Sequence, residues 1–262
     1  MHRRISRRRV SATVLAGVFA FSQAVTAGRV ILNHDEWTLS NYAFGEVAAS
    51  TSAFAGNLAS FMNVDGGACN LLVYSHNFGF TGTSLNAALT GAGCSVTYAS
   101  GAMDLAAMSA FDGLFLGAHP YSYNAANFTS YVNSGHSVYI AGGTGIADED
   151  SFWDPFIHNF GLDFGPSYNG ITGTMPIASG HPLFAGVSEL YFINGNSVGL
   201  YGSNPNAQIV TLGDDGAGLF GIFSDTTGVA RENAVQVISE PATLVLLGVG
   251  LAGLGLLRRK RS

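Results

Sequence analysis

The middle of the chain alternates between short apolar runs and polar stretches closed by glycine. Leu71–Tyr74, Ser95–Tyr98, Gly113–Gly117 and Ser137–Ala141 are four or five residues long and rich in aliphatic, aromatic or β-branched side chains. Runs of that length bounded by turn residues predict strands buried on both faces. Between them the spacing predicts helices over 84–89, 104–109 and 125–132. The first is closed by Gly91 and Gly93, the second capped by Asp104, and the third ended by Asn133-Ser134-Gly135. This strand–helix rhythm predicts an α/β fold, a doubly wound, mostly parallel sheet with helices on both faces. Upstream, Val30-Ile31-Leu32 begins a short strand. Residues 50–62 place Ala53, Phe54, Leu58, Phe61 and Met62 at helical spacing after a polar stretch. Downstream the pattern is less regular, with a helix expected over 152–160 and strands over 191–193, 208–212 and 218–223. The expected organisation is a segment 28–66 packing on the core, an α/β domain over 67–223 and a linker over 224–238.

The two ends have a different character. Residues 1–9 carry five arginines and no acid, Val10–Phe21 is apolar, and Ala24-Val25-Thr26-Ala27 ends in small residues. That order predicts a secretory signal peptide over 1–27, cleaved after Ala27 by signal peptidase during export; a short membrane anchor is the alternative reading. The arginine pairs leave both the general and the twin-arginine export route open. At the other end, Ser239-Glu240-Pro241 precedes a 16-residue uncharged run, 242–257, and then Arg258-Arg259-Lys260-Arg261. As a helix that run would be about 24 Å long, slightly short for a bilayer core of about 30 Å but workable with flanking anchors. The basic cluster would stay on the cytoplasmic side of the inner membrane. Gly248-Val249-Gly250-Leu251-Ala252-Gly253 satisfies a dinucleotide-binding pattern, but it lies inside this apolar run and follows no soluble strand.

The charge balance changes once the ends are set aside. Of 11 Lys and Arg residues only Arg29 and Arg231 lie between 28 and 240, against all 17 acids, a formal charge of −15 for that body where the whole chain has −6. Such a surface excludes nucleic acid and disfavours anionic polymers as direct ligands. It favours divalent cations or neutral glycans. With so few cations the fold must rest on apolar burial and aromatic packing, for which 18 Phe and 10 Tyr are available.

Cys69 and Cys94 each sit just before a predicted strand. In neighbouring parallel strands both would lie at one sheet edge, and an exported chain favours a disulfide over two buried thiols. Ligands of an open parallel sheet bind beyond the carboxyl ends of its strands. Those ends place His76, His119 and Gly143-Thr144 as a candidate crevice, or as polar caps of loops. Asp148, Glu149 and Asp150, with Asp154 nearby, offer hard oxygen ligands suited to calcium, or the acids of a solvated helix cap. His34-Asp35-Glu36 reads as an exposed turn in preference to a ligand set.

The tail resembles the PEP-CTERM sorting signal in Glu240-Pro241-Ala242-Thr243, the glycine- and leucine-rich run and the terminal basic cluster. Ser239 stands where the family has its first proline. The resemblance implies an exosortase partner, transient tethering in the inner membrane, delivery to the cell surface or medium, and a Gram-negative host that makes exopolysaccharide. A plain membrane anchor is the alternative. Residues 70–212 resemble the class I glutamine amidotransferase-like fold, on Val138–Gly145, where that family forms its nucleophile elbow, and on Ser179-Gly180-His181-Pro182-Leu183-Phe184-Ala185-Gly186, which adds His181 to the crevice. Active members need a cysteine at the elbow; the matching positions here are Gly143 and Thr144. The resemblance therefore implies a catalytically silent domain with a binding or structural role near exopolysaccharide. The rival expectation is an exported hydrolase or carbohydrate-active enzyme using the edge histidines.

Overall fold

The computed structural model describes residues 28–224; the expected signal peptide, nearly all of the expected linker and the sorting tail lie outside them. Eleven strands and six helices follow in chain order: β1 (Arg29–Asn33), α1 (Asn41–Glu46), α2 (Ala48–Met62), β2 (Cys69–Val73), α3 (Thr83–Gly91), β3 (Cys94–Tyr98), α4 (Leu105–Met108), β4 (Gly113–Gly117), α5 (Ala125–Asn133), β5 (Ser137–Ala141), α6 (Glu149–Ile157), β6 (Leu162–Phe164), β7 (Thr172–Pro176), β8 (Glu189–Ile193), β9 (Val198–Leu200), β10 (Ala207–Leu212) and β11 (Gly218–Ser224).

Nine strands form one mixed sheet in the order β3-β2-β4-β5-β1-β11-β9-β6, with β10 also paired to β11. The first five are parallel; β11 runs antiparallel to β1 and opens an antiparallel flank. β7 and β8 form a separate antiparallel pair. The sheet is mostly parallel, as expected, and its antiparallel second half has a simple reason. A parallel return needs a crossover of a dozen or more residues, and the short links after β8 leave room only for antiparallel turns. β6, β7 and β9 were not expected. Thr172–Pro176 contains Gly173 and Pro176 and exposes alternate residues, a weak strand signal in sequence.

Alternation along each central strand builds two cores. Ile31, Leu71, Val73, Phe115, Tyr139 and Ile222 face Phe54, Leu58 and Met62 of α2 and Leu85 and Leu89 of α3. Val30, Leu32, Leu72, Leu114, Leu116, Val138 and Ile140 face Met108 of α4, Phe128 and Val132 of α5, and Trp153 and Phe156 of α6. The strands are apolar throughout because both faces are covered. β1 does not merely pack on the core: it lies between β5 and β11, so the segment 28–66 supplies a strand inside the sheet. Val30-Ile31-Leu32, with no polar residue on either face, suits that position. Cys69 and Cys94 are in register on β2 and β3 and form a disulfide. Among the described residues no helix is long and apolar enough to cross a membrane; the expected span over 242–257 lies outside them.

Candidate functional site

The chain moves outward from β2 to β3 and returns to β4 on the other side of β2, so the switch point lies between β2 and β4. That crevice is filled. The loop after β2 folds back so that Phe80 packs on Phe115 of β4 and Tyr139 of β5. Gly117, the last residue of β4, accommodates the Phe80 ring where a Cβ would come within 2.6 Å of it. The same loop brings Asn77 to the loop after β1, where its amide donates to the Glu36 carboxylate.

The expected crevice residues are held apart by separate partners. His76 is exposed and lies over Tyr121, ring centroids 3.9 Å apart. His119 is exposed and meets the edge of Phe152 at 5.2 Å. Gly143, at φ 71°, donates its N–H to Asn196 Oδ1 at 2.6 Å. Thr144 turns toward α6: its hydroxyl donates to one oxygen of Glu149 at 2.5 Å and its N–H to the other at 3.1 Å. His181 is at the opposite edge of the sheet. It contacts Phe61 near the end of α2 and feels the charge of Arg29, the first residue of β1. Its ring lies beside a recess lined by Arg29, Asn57, Ser60, Phe61 and Pro182.

The expected calcium set also disperses. Asp148 is exposed, Asp150 is half-buried, and Glu149 is 2 % exposed and bound to Thr144. Successive positions at a helix start point in different directions. The group of three ligand-type side chains that converges among the described residues is Asp154, His158 and Asp163.

The His34-Asp35-Glu36 segment is a buried network, where the sequence suggested an exposed turn. His34 and Asp35 are fully buried and Glu36 is 7 % exposed. Asp35 caps a 3-10 turn over Glu36–Leu39 by accepting the Trp37 N–H at 2.7 Å. Its other oxygen accepts the Ile193 N–H at 2.5 Å. Burial pushes its pKa up to about 7 against the pull of backbone N–H groups from Trp37, Ile193 and Gly195. Burial likewise pushes Glu36 to about 7, with the charges of Asp35 and Glu149 adding to it and the Asn77 amide opposing it. Glu149 is raised chiefly by burial. His34 Nδ1 accepts from the Asn169 amide at 2.8 Å, which leaves the proton on Nε2, and burial lowers its pKa to about 3. Asn196 completes the network: its N–H donates to the His34 carbonyl and its amide to Gly165. Sequence reasoning missed these residues because short polar runs after a strand read as solvated loop.

Outside this buried layer lies an aromatic surface. Trp37 meets Phe78 at 4.7 Å and Tyr42 at 6.0 Å, and Tyr42 meets Tyr191 at 5.0 Å. Tyr42 is 50 % and Phe78 45 % exposed. Turns after β1 and β2, α1 and β8 contribute one ring each, so this surface exists only in the folded chain.

Residues 237–261 match the PEP-CTERM protein-sorting motif family. The tail thus marks an exported chain that an exosortase processes at the membrane on its way to the cell surface. No curated protein and no solved structure matches the chain. The likeness of residues 70–212 to amidotransferase-like domains rests on sequence alone.

Proposed function

We propose that the protein is a component of the cell surface or exopolysaccharide matrix whose α/β domain binds a neutral glycan and does not catalyse. The observation that carries this reading is the aromatic surface at the carboxyl edge of the sheet, in which exposed Tyr42 and Phe78 pack on half-buried Trp37 and Tyr191. Aromatic faces present apolar area at low conformational cost, and exposed clusters of them mark binding sites. Between residues 28 and 224 the sole Lys or Arg is Arg29, so anionic polymers find little attraction there. The PEP-CTERM tail supports delivery to that environment. A silent domain accords with the elbow positions Gly143 and Thr144 and with Ala118 (φ 51°) in the left-handed region after β4, where its methyl offers no nucleophile.

Binding of the full chain to neutral polysaccharide from its own cells tests the reading. Trp37→Ala with Phe78→Ala should weaken binding by at least about tenfold while leaving the melting temperature of the domain within a few degrees. Undiminished binding sinks the assignment of the site. Mass spectrometry of native material tests the sorting: a species starting near Gly28 and ending near Glu240 is expected outside the cell.

One observation favours the hydrolase alternative. Thr144 lacked a base in the sequence, and the fold supplies Glu149 as its acceptor. Turnover on ester or glycoside panels, abolished by Thr144→Val and by Glu149→Gln, would replace the binding reading; both oxygens of Glu149 engaged within one five-residue loop fit a structural tie better.

A further inference from the structure

A second polar cluster lies away from the carboxyl edge, beside the antiparallel flank. Asp154 and His158 are one turn apart at the end of α6, so their side chains share a face. Gly161, at φ 74°, reverses the chain and returns Asp163 on β6 to the same point. His158 Nε2 lies 2.9 Å from Asp163 Oδ1 and 3.2 Å from Asp154 Oδ1. All three donor atoms lie within 4.8 Å of one another. Tyr201, just beyond β9, stacks flat on the imidazole at 3.6 Å and 3°, which fixes the ring plane. Asp154 Oδ1 is buried and makes no hydrogen bond of regular geometry, His158 Nε2 being its ion-pair neighbour. No lysine or arginine stands near in sequence, and Asp150 adds a further negative charge that Asp154 feels.

We propose that Asp154, His158 and Asp163 form a site for one divalent transition-metal ion of the zinc class, open to solvent on its remaining side. The two separations from His158 Nε2, 2.9 and 3.2 Å, are close to those of such a site. With metal–ligand lengths of about 2.0–2.1 Å, tetrahedral donor atoms sit about 3.3 Å apart. One imidazole with two carboxylates selects zinc-like ions over calcium and magnesium, which take oxygen ligands almost exclusively. The side chains are a quarter to a third exposed (24 % for His158, 33 % for Asp154 and 37 % for Asp163), which leaves room for water or for an oxygen of a second molecule as the fourth ligand. Both cysteines are in the disulfide, so no described thiol competes for a soft ion. Bound metal would pin the end of α6 to β6, two elements otherwise joined by a short turn. This inference does not rest on the glycan reading.

The experiment is calorimetric titration of the full chain, stripped with chelator, with zinc chloride and separately with calcium chloride. One zinc per chain is expected, with no displacement by millimolar calcium. His158→Ala should weaken zinc binding by more than about 100-fold, beyond what loss of an outer partner of a ligand causes. Asp163→Asn, on the exposed side of β6, gives a second variant should His158→Ala fail to fold. His119→Ala should leave the affinity unchanged. Absent zinc binding overturns the site, as does zinc affinity that survives both cluster variants or falls with His119→Ala, which would mark adventitious binding at surface histidines. Equal affinity for calcium overturns the assignment to the zinc class.

Discussion

The carboxylate of Asp35, just past the end of β1, accepts the backbone N–H of Ile193, the last residue of β8, across 158 positions of sequence. This contact fastens the separate β7–β8 pair to the carboxyl edge of the main sheet. The other oxygen of Asp35 caps the turn that carries Trp37 into the aromatic surface. One buried side chain therefore positions both the second sheet and the proposed glycan site.

Asp35→Asn should destabilise the domain although it removes no charge that water could screen. An amide has one acceptor oxygen, whereas both Asp35 oxygens accept backbone N–H groups. The amide nitrogen would face a donor, and leaving a buried N–H unpaired costs about 1–3 kcal/mol. Urea unfolding should show a lower midpoint at unchanged slope; an unaltered midpoint would refute the role.

Stability should rise as the pH falls from 7.5 to 5.5. Asp35 and Glu36 have folded pKa values near 7, above their ordinary carboxylate values. Between about pH 4 and 7 the folded chain holds protons that the unfolded chain has shed, so each contributes stability that is lost as the pH rises. His34, lowered to about 3, works the other way: between about 3 and 6.5 only the unfolded chain binds its proton. Two carboxyls against one imidazole leave a net loss of roughly 1.4 kcal/mol per pH unit near the middle of the window. Melting curves at the two pH values check this, and an equal or higher melting temperature at pH 7.5 would contradict it.

Phe80→Ala should reopen the crevice at the switch point. The ring is fully buried between Phe115, Tyr139 and Gly117. Removing it should cost about 3–5 kcal/mol, and the variant should bind a small apolar probe such as benzene that the native domain excludes. A loss under 1 kcal/mol would mean the loop after β2 collapses into the space.

Reduction of Cys69–Cys94, or Cys69→Ser with Cys94→Ser, should cost roughly 3 kcal/mol on the loop-entropy account for a closed loop of this size. The sequence separation is 25 and the bond joins adjacent strands at one edge, so the loss should appear as lower stability of β2-α3-β3 without rearrangement of the sheet. Hydrogen exchange confined to those elements checks it; slow exchange throughout the reduced protein would count against it.

A methyl at Gly195 should be poorly tolerated. Its Cβ would lie 2.0 Å from the His34 carbonyl oxygen, a backbone atom with no freedom to move aside. Gly195→Ala should lower stability by at least about 1–3 kcal/mol and disturb the Asn196 hydrogen bonds. Near-native unfolding of this variant would show that the β8–β9 turn can shift.

Much of the α/β framework was legible along the chain because it depends on local periodicity. The runs Gly113–Gly117 and Ser137–Ala141 are strands to the residue, and Asp104 caps α4 by accepting from Ala107. Those signals need no knowledge of distant partners. The tail was legible for the same reason: motif, apolar run and basic cluster lie within 25 consecutive residues. The site was not. Asp35 and Ile193, Glu36 and Asn77, His34 and Asn169 are brought together from far apart, and nothing in three polar letters after a strand says that water is excluded from them. His181 shows the converse, a residue assigned to the edge by motif that the fold carries to the other end of the sheet. By itself the sequence determined the central strands and the helices between them, the acidic body and the sorting tail, because each follows from residues that are neighbours in the chain. Only tertiary packing decided that Phe80 fills the crevice, that three acids are buried beside a neutral histidine, and that four rings from four elements meet at the surface, because burial and long-range hydrogen bonding are properties of the assembled chain.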